Sequence, residues 1–114
     1  MKIITEKITL DELKEMSKKM HNNIVKAVVD LEKGIMVVDA PMHVDQEMFL
    51  LEQEESRQEN LWGINIYPEL PIDQWIEFDS MINVRPSFGN RTRGVDDSTI
   101  QEKIKKLVYA LVEQ

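Results

Sequence analysis

Three of the four arginines in this 114-residue chain, Arg85, Arg91 and Arg93, fall within one short stretch. Around them, Asn83-Val84-Arg85-Pro86 and Gly89-Asn90-Arg91-Thr92-Arg93-Gly94 set guanidinium forks and two side-chain amides beside glycines. Arginine suits two-pronged capture of phosphate or carboxylate, and a missing Cβ lets a ligand approach the backbone. The pattern predicts a loop that holds an anionic small molecule or a partner carboxylate through Asn83, Arg85, Asn90, Arg91 and Arg93. The loop also delivers the chain to the N-terminus of the last helix, where unpaired backbone donors favour anions. The competing reading is a structural loop, its arginines pinned by Asp96, Asp97 and nearby glutamates.

A second constellation is acidic. Asp30 and Asp39 share a face of an expected hairpin, His43 follows closely, and Asp79 and Glu77 fall on the same side of the expected sheet. Carboxylates with a histidine could hold Mg²⁺ or Mn²⁺ and activate water for phosphoester hydrolysis, which makes Asp30, Asp39, His43 and Asp79 the candidate metal ligands. Their spacing matches no fixed metal motif, and an acidic sheet face is equally expected at a net charge of −7. A third set is aromatic. Trp62 reads as core, whereas Tyr67 and Trp75 fall with Met81 on the mixed sheet face, as a stacking platform or a homodimer patch.

Composition narrows the classes. With 42% hydrophobic and 31% charged residues the chain is of the ordinary globular kind. It contains no cysteine, which removes disulfides and thiol chemistry and suits a reducing cytoplasm. The acidic balance argues against non-specific nucleic-acid binding, which depends on neutralising phosphates with Lys and Arg. Apolar runs are far shorter than the ~20 residues of a membrane span, and the opening MKIITEKITL lacks the continuous apolar stretch of a secretory signal. Phosphate-loop, zinc-protease and nucleophile-elbow motifs are absent, and no cofactor is called for.

The elements that must position these residues are legible in part. Residues 2–7 suggest a short edge strand. Thr9-Leu10-Asp11-Glu12 fits a capping box before a helix over about 10–20, with His21 expected at its C-terminal end, where a positive charge favours the helix dipole. Residues 24–40 read as a hairpin turning at Lys33-Gly34, with Glu32 facing Ile35. In that register Ala27, Val29, Leu31, Met36, Val38 and Ala40 form an apolar face. Met42–Glu54 reads as a helix, Leu61–Tyr67 as a strand, and Gln74–Arg85 as a long strand ended by Pro86. Ser98–Gln101 forms a second capping box, after which Ile100, Ile104, Leu107, Val108 and Leu111 take amphipathic helical spacing. The assembly predicted is one α+β domain over residues 1–114: a four-stranded, mostly antiparallel sheet of two strand pairs, with about three helices packed on its apolar face.

The stretches KIITEK, VKAVVDLEKGI, LWGINIYP and FDSMINVRPSFGNRTRG resemble an uncharacterised family of short bacterial and archaeal proteins, a domain of unknown function. The resemblance spans nearly the whole chain, implies a free-standing domain and brings no catalytic residues with it. The leading expectation is thus a cytosolic binding module for an anionic ligand. The alternatives are a metal-assisted phosphoester hydrolase and a homo-oligomer or regulatory interaction domain using the mixed sheet face.

Overall fold

The computed structural model describes residues 1–114, except for the side chain of His21, so the helix-end role expected of that side chain lies outside the described residues. In chain order the elements are β1 (Lys2–Ile4), β2 (Ile8–Thr9), α1 (Leu10–Ser17), β3 (Val25–Asp30), β4 (Ile35–Val38), α2 (His43–Gln53), β5 (Leu61–Ile66), β6 (Ile76–Glu77), α3 (Ser98–Leu111) and β7 (Val112–Glu113). Five strands form one sheet in the order β1-β4-β3-β5-β6, with every neighbouring pair antiparallel. β2 and β7 form a separate parallel pair that ties the two ends of the chain together.

The mixed α+β class and the antiparallel pairing agree with expectation, and the sheet gains a fifth strand because β1 adds along β4. The hairpin registers differently. Asp30, not Glu32, faces Ile35, and four residues make the turn. Asp30 fixes it: its Oδ1 accepts from the backbone N–H of Glu32 and Lys33 at 2.9 and 3.0 Å, and Gly34 takes a left-handed φ of 67°. The slip is two residues, so each side chain keeps its face.

Alternation along the strands buries both faces of the sheet. One face carries Val25, Ala27, Val29, Met36, Val38, Trp62, Ile64 and Ile66 against Leu13 of α1 and Ile104, Val108 and Leu111 of α3. The other carries Val28, Ile35, Val37 and Leu61 against Leu50 of α2. The helices therefore do not share a single apolar face. The mixed face, expected to be solvated, paired with a second copy or the floor of a site, is roofed by α2. Trp75 is absent from it too: it is buried in the first core, donates Nε1–H to Leu70 O at 2.9 Å, and meets Tyr109 edge-on.

The largest departure is the long fourth strand. Only Ile76 and Glu77 pair with β5; beyond them the chain folds into 3-10 turns at Met81–Asn83 and Pro86–Phe88. Short polar side chains take over the backbone bonds. Ser80 Oγ accepts from Ile82 N at 3.3 Å, and Asn83 bonds Gly63 N and O at 2.9 and 3.0 Å, where a continuing strand would have done so. Gly63 permits that close approach, because a Cβ there would lie 2.6 Å from Ser80 Cβ and Oγ. A strand-like alternation was present in the sequence, but side-chain competitors for the ladder won.

Candidate functional site

The arginine stretch closes on itself. Asn83 is fully buried, and besides Gly63 its amide donates to Arg93 O at 3.0 Å. Asn90, also buried, donates Nδ2–H toward Asn83 O, Gly94 O and Thr92 O at 2.8, 2.9 and 3.1 Å, while its Oδ1 accepts from Asp96 N at 2.8 Å. Arg85 is 7% exposed, donates to the carbonyls of Gln58 and Leu61, and lies 4.4 Å above the centroid of the Trp62 ring. These three side chains hold backbone together.

Asp96 is spent locally as well. Its carboxylate takes Thr92 Oγ1–H and Arg91 N–H, and these two donors hold its pKa below the ordinary carboxylate value. Asp97 caps α3 by accepting from Thr99 N at 2.8 Å, one residue before the expected Ser98 cap. So neither acid partners a guanidinium. Arg91 projects into solvent, and Arg93 forms an ion pair with Asp79 at 2.7 Å. Of the five expected contacts, Arg93 lines the cleft described below.

The four expected metal ligands are dispersed. Asp30 sits at the hairpin turn, its second oxygen taken by Ser56 Oγ at 2.6 Å. Asp39 follows β4 at the opposite end of that hairpin, with a left-handed φ of 64°. Four residues of strand, at about 3.3 Å each, keep the two aspartates apart. His43 and Asp79 do come together. Among the described residues no three His, Asp or Glu side chains are grouped to hold a metal ion.

The place where His43, Asp79 and Arg93 meet is a cleft of about 270 Å³ between the start of α2 and the segment after β6. Its polar lining also includes Lys26 of β3 and Asn65 of β5, which are direct cross-strand partners on the α2 face of the sheet. Pro41, Met42, Val44, Met81 and Ile82 supply apolar walls. A second, mainly apolar cavity of about 260 Å³, lined by Met16, Met20 and Val25, adjoins it through shared Lys26 and Pro41.

Three features give the cleft its chemistry. First, α2 begins there without a side-chain cap: Met42 occupies the capping position and offers no acceptor, so the first-turn N–H groups lack a side-chain partner. The first-turn acid Asp45 lines a different cleft. Second, His43 Nε2 lies 2.7 Å from Ile64 O; a carbonyl can only accept, so Nε2 carries the proton and Nδ1 keeps its lone pair. Burial pushes the His43 pKa below its ordinary value, assisted by Lys26 and Arg93 and opposed by the Ile64 carbonyl and Asp79. Third, Asn65 is 6% exposed. Its Nδ2 donates to Glu77 Oε1 at 2.8 Å and toward Asp79 O at 3.5 Å, while its Oδ1 has no partner.

Sequence reasoning singled out Arg93, His43 and Asp79 but named neither Lys26 nor Asn65 as a site residue. The signal available for both was the pairing of β3 with β5, which no local pattern encodes. No helix among the described residues is long and apolar enough to cross a membrane. The chain belongs to the family described as protein of unknown function (DUF5674), whose match covers residues 2–111. No curated protein and no solved structure matches it.

Proposed function

We propose that this family member is a small-molecule-binding domain, and that its site is the cleft at the start of α2, built to hold an anionic group. The carrying observation is that the uncapped N-terminus of α2 opens beside two cations, Lys26 and Arg93. Backbone donors and the helix dipole favour negative charge at such an end. Lys26 forms no ion pair among the described residues, so its charge is available to a ligand. Arg93 is pre-positioned by Asp79. The neutral His43 anchors the first turn of α2 to β5 and so fixes the donors relative to the cations.

This keeps the anion-binding reading and moves it from the 83–94 loop to the cleft that the loop helps to wall. With no cysteine to need an oxidising compartment, we read the protein as cytoplasmic.

Thermal unfolding of the full chain with small carboxylates and inorganic phosphate tests the reading. Ligand at about 100 times its Kd stabilises the native state by about 2.7 kcal/mol, a readily measured rise in midpoint. Lys26→Ala and Arg93→Ala should each abolish most of that rise while leaving the ligand-free midpoint nearly unchanged. A panel without any response, or one equally active on both variants, would show that the cleft is not the site.

A further inference from the structure

We infer that the ligand of this cleft is an amphiphile, an aliphatic monocarboxylate whose tail runs from the cleft into the apolar cavity beside it. The inference rests on the anion-site reading above and adds the tail, which that reading leaves undefined.

The second cavity exists because β4 leaves β3 early. β3 begins at Val25 but pairs with β4 only from Val28 onward, and Asp39 turns the chain away with its left-handed φ of 64°. The gap this leaves, between the start of β3 and residues 39–41, is the cavity of about 260 Å³. Val25 faces the α1 side of the sheet and Lys26 the α2 side, so the gap opens toward both layers. Lys26 and Pro41 accordingly line both spaces. Each space alone falls just short of the roughly 300–1,000 Å³ of an ordinary ligand pocket, and the two together fall within it.

The chemistry of the two spaces divides at Lys26. On the α1 side the walls are Met16, Met20, Val25 and Ala40, which present no side-chain hydrogen-bonding N or O, and methionine adapts to varied apolar shapes. The Lys26 carbonyl is taken by Gln46 Nε2 at 2.8 Å, and its ammonium forms no ion pair among the described residues. A lone cation thus stands at the junction of an apolar cavity and a polar cleft. Arg93 adds a second cation on the cleft side alone. Asp39, the one acid in the apolar cavity's lining, also lines two further clefts, which puts it at the rim, where its charge repels a carboxylate. The head therefore lies between Lys26 and Arg93, and the tail against Met16 and Met20. An inorganic anion would use the cations and leave the apolar walls unused.

Calorimetric titration of the full chain with acetate, butanoate, hexanoate, hexan-1-ol and inorganic phosphate decides the matter. Burying each methylene should raise affinity about fourfold, so each acid should bind about fifteenfold more tightly than the one before it. Hexan-1-ol, the same tail without the charge, should bind at least about tenfold more weakly than hexanoate. Met20→Gln should weaken hexanoate about tenfold more than it weakens acetate, whereas Lys26→Ala should weaken every acid alike. Equal affinity along the acid series, or phosphate binding alone, would overturn the tail and leave the anion site standing. Hexan-1-ol binding as tightly as hexanoate would overturn the carboxylate and the anion site with it. If none of the five binds, both readings fall.

Discussion

Asn83 and Gly63 are joined by the two hydrogen bonds that ordinarily join neighbouring strands. Gly63 donates to Asn83 Oδ1 at 2.9 Å, and Asn83 Nδ2 donates back to Gly63 O at 3.0 Å. A side-chain amide thus stands in for one peptide of a missing strand. The chain is thereby released to turn under Ser80 and build one wall of the cleft.

Asn83→Ala strands the buried N–H and C=O of Gly63 at once, while the Arg93 carbonyl keeps the Ser80 N–H at 2.9 Å. Each buried unsatisfied group costs about 1–3 kcal/mol, so a loss of about 3 kcal/mol in unfolding free energy is expected from urea titration. A loss below about 0.5 kcal/mol would mean that water replaces the amide at no cost.

Arg85 works as a brace and not as a ligand contact. Its guanidinium reaches two carbonyls while stacking on Trp62, a geometry that a lysine ammonium cannot reproduce. Arg85→Lys should cost about 2 kcal/mol and shift the Trp62 fluorescence, with anion affinity unchanged in the fraction that stays folded. A variant of full stability that lost only anion binding would return Arg85 to the site.

Stability should fall as the solution is acidified below pH 6.5, the ordinary histidine value. The sign follows from linkage: the native state holds His43 neutral by burial, so the unfolded chain takes up the proton first. The loss continues downward until the native imidazole itself protonates. His43→Gln, which can still donate toward Ile64 O, should flatten the urea midpoint between about pH 7 and 5.5. An equally steep decline in that variant would assign the effect to other groups.

Glu47 predicts the opposite sign. Burial raises its pKa above the ordinary 4.5, with Gln58 and Arg85 only partly compensating, and Oε2 lacks a partner. Its contribution is complete below the ordinary value and is lost as pH rises through the raised one. Glu47→Gln should therefore stabilise the protein at pH 7, by about 0.5–1 kcal/mol, and have little effect near pH 4. Destabilisation at pH 7 would show that the attraction to Arg85 outweighs the burial.

The sequence by itself determined what depends on neighbours along the chain. The Thr9 cap and the α1 start follow from a side chain reaching three residues on: Thr9 Oγ1 accepts from Glu12 N at 3.1 Å. The faces of β3 and β4 follow from a period of two, and survived a two-residue error in register because that period is even. The packing stripe of α3 follows from the 3.6-residue period, so Ile104, Val108 and Leu111 were identified as core in advance.

Only the tertiary structure decided the rest. Whether the alternation of residues 74–85 became a strand depended on Asn83 finding Gly63, twenty residues away in sequence. Whether Val28 and Val37 faced solvent depended on which side of the sheet α2 crossed. The cleft itself joins β3, the start of α2, β5 and residues 79–93, four segments whose proximity is set by strand order. Local preferences act over a few bonds and can be read from a string of residues; a site made by long-range pairing exists only once the whole core has closed.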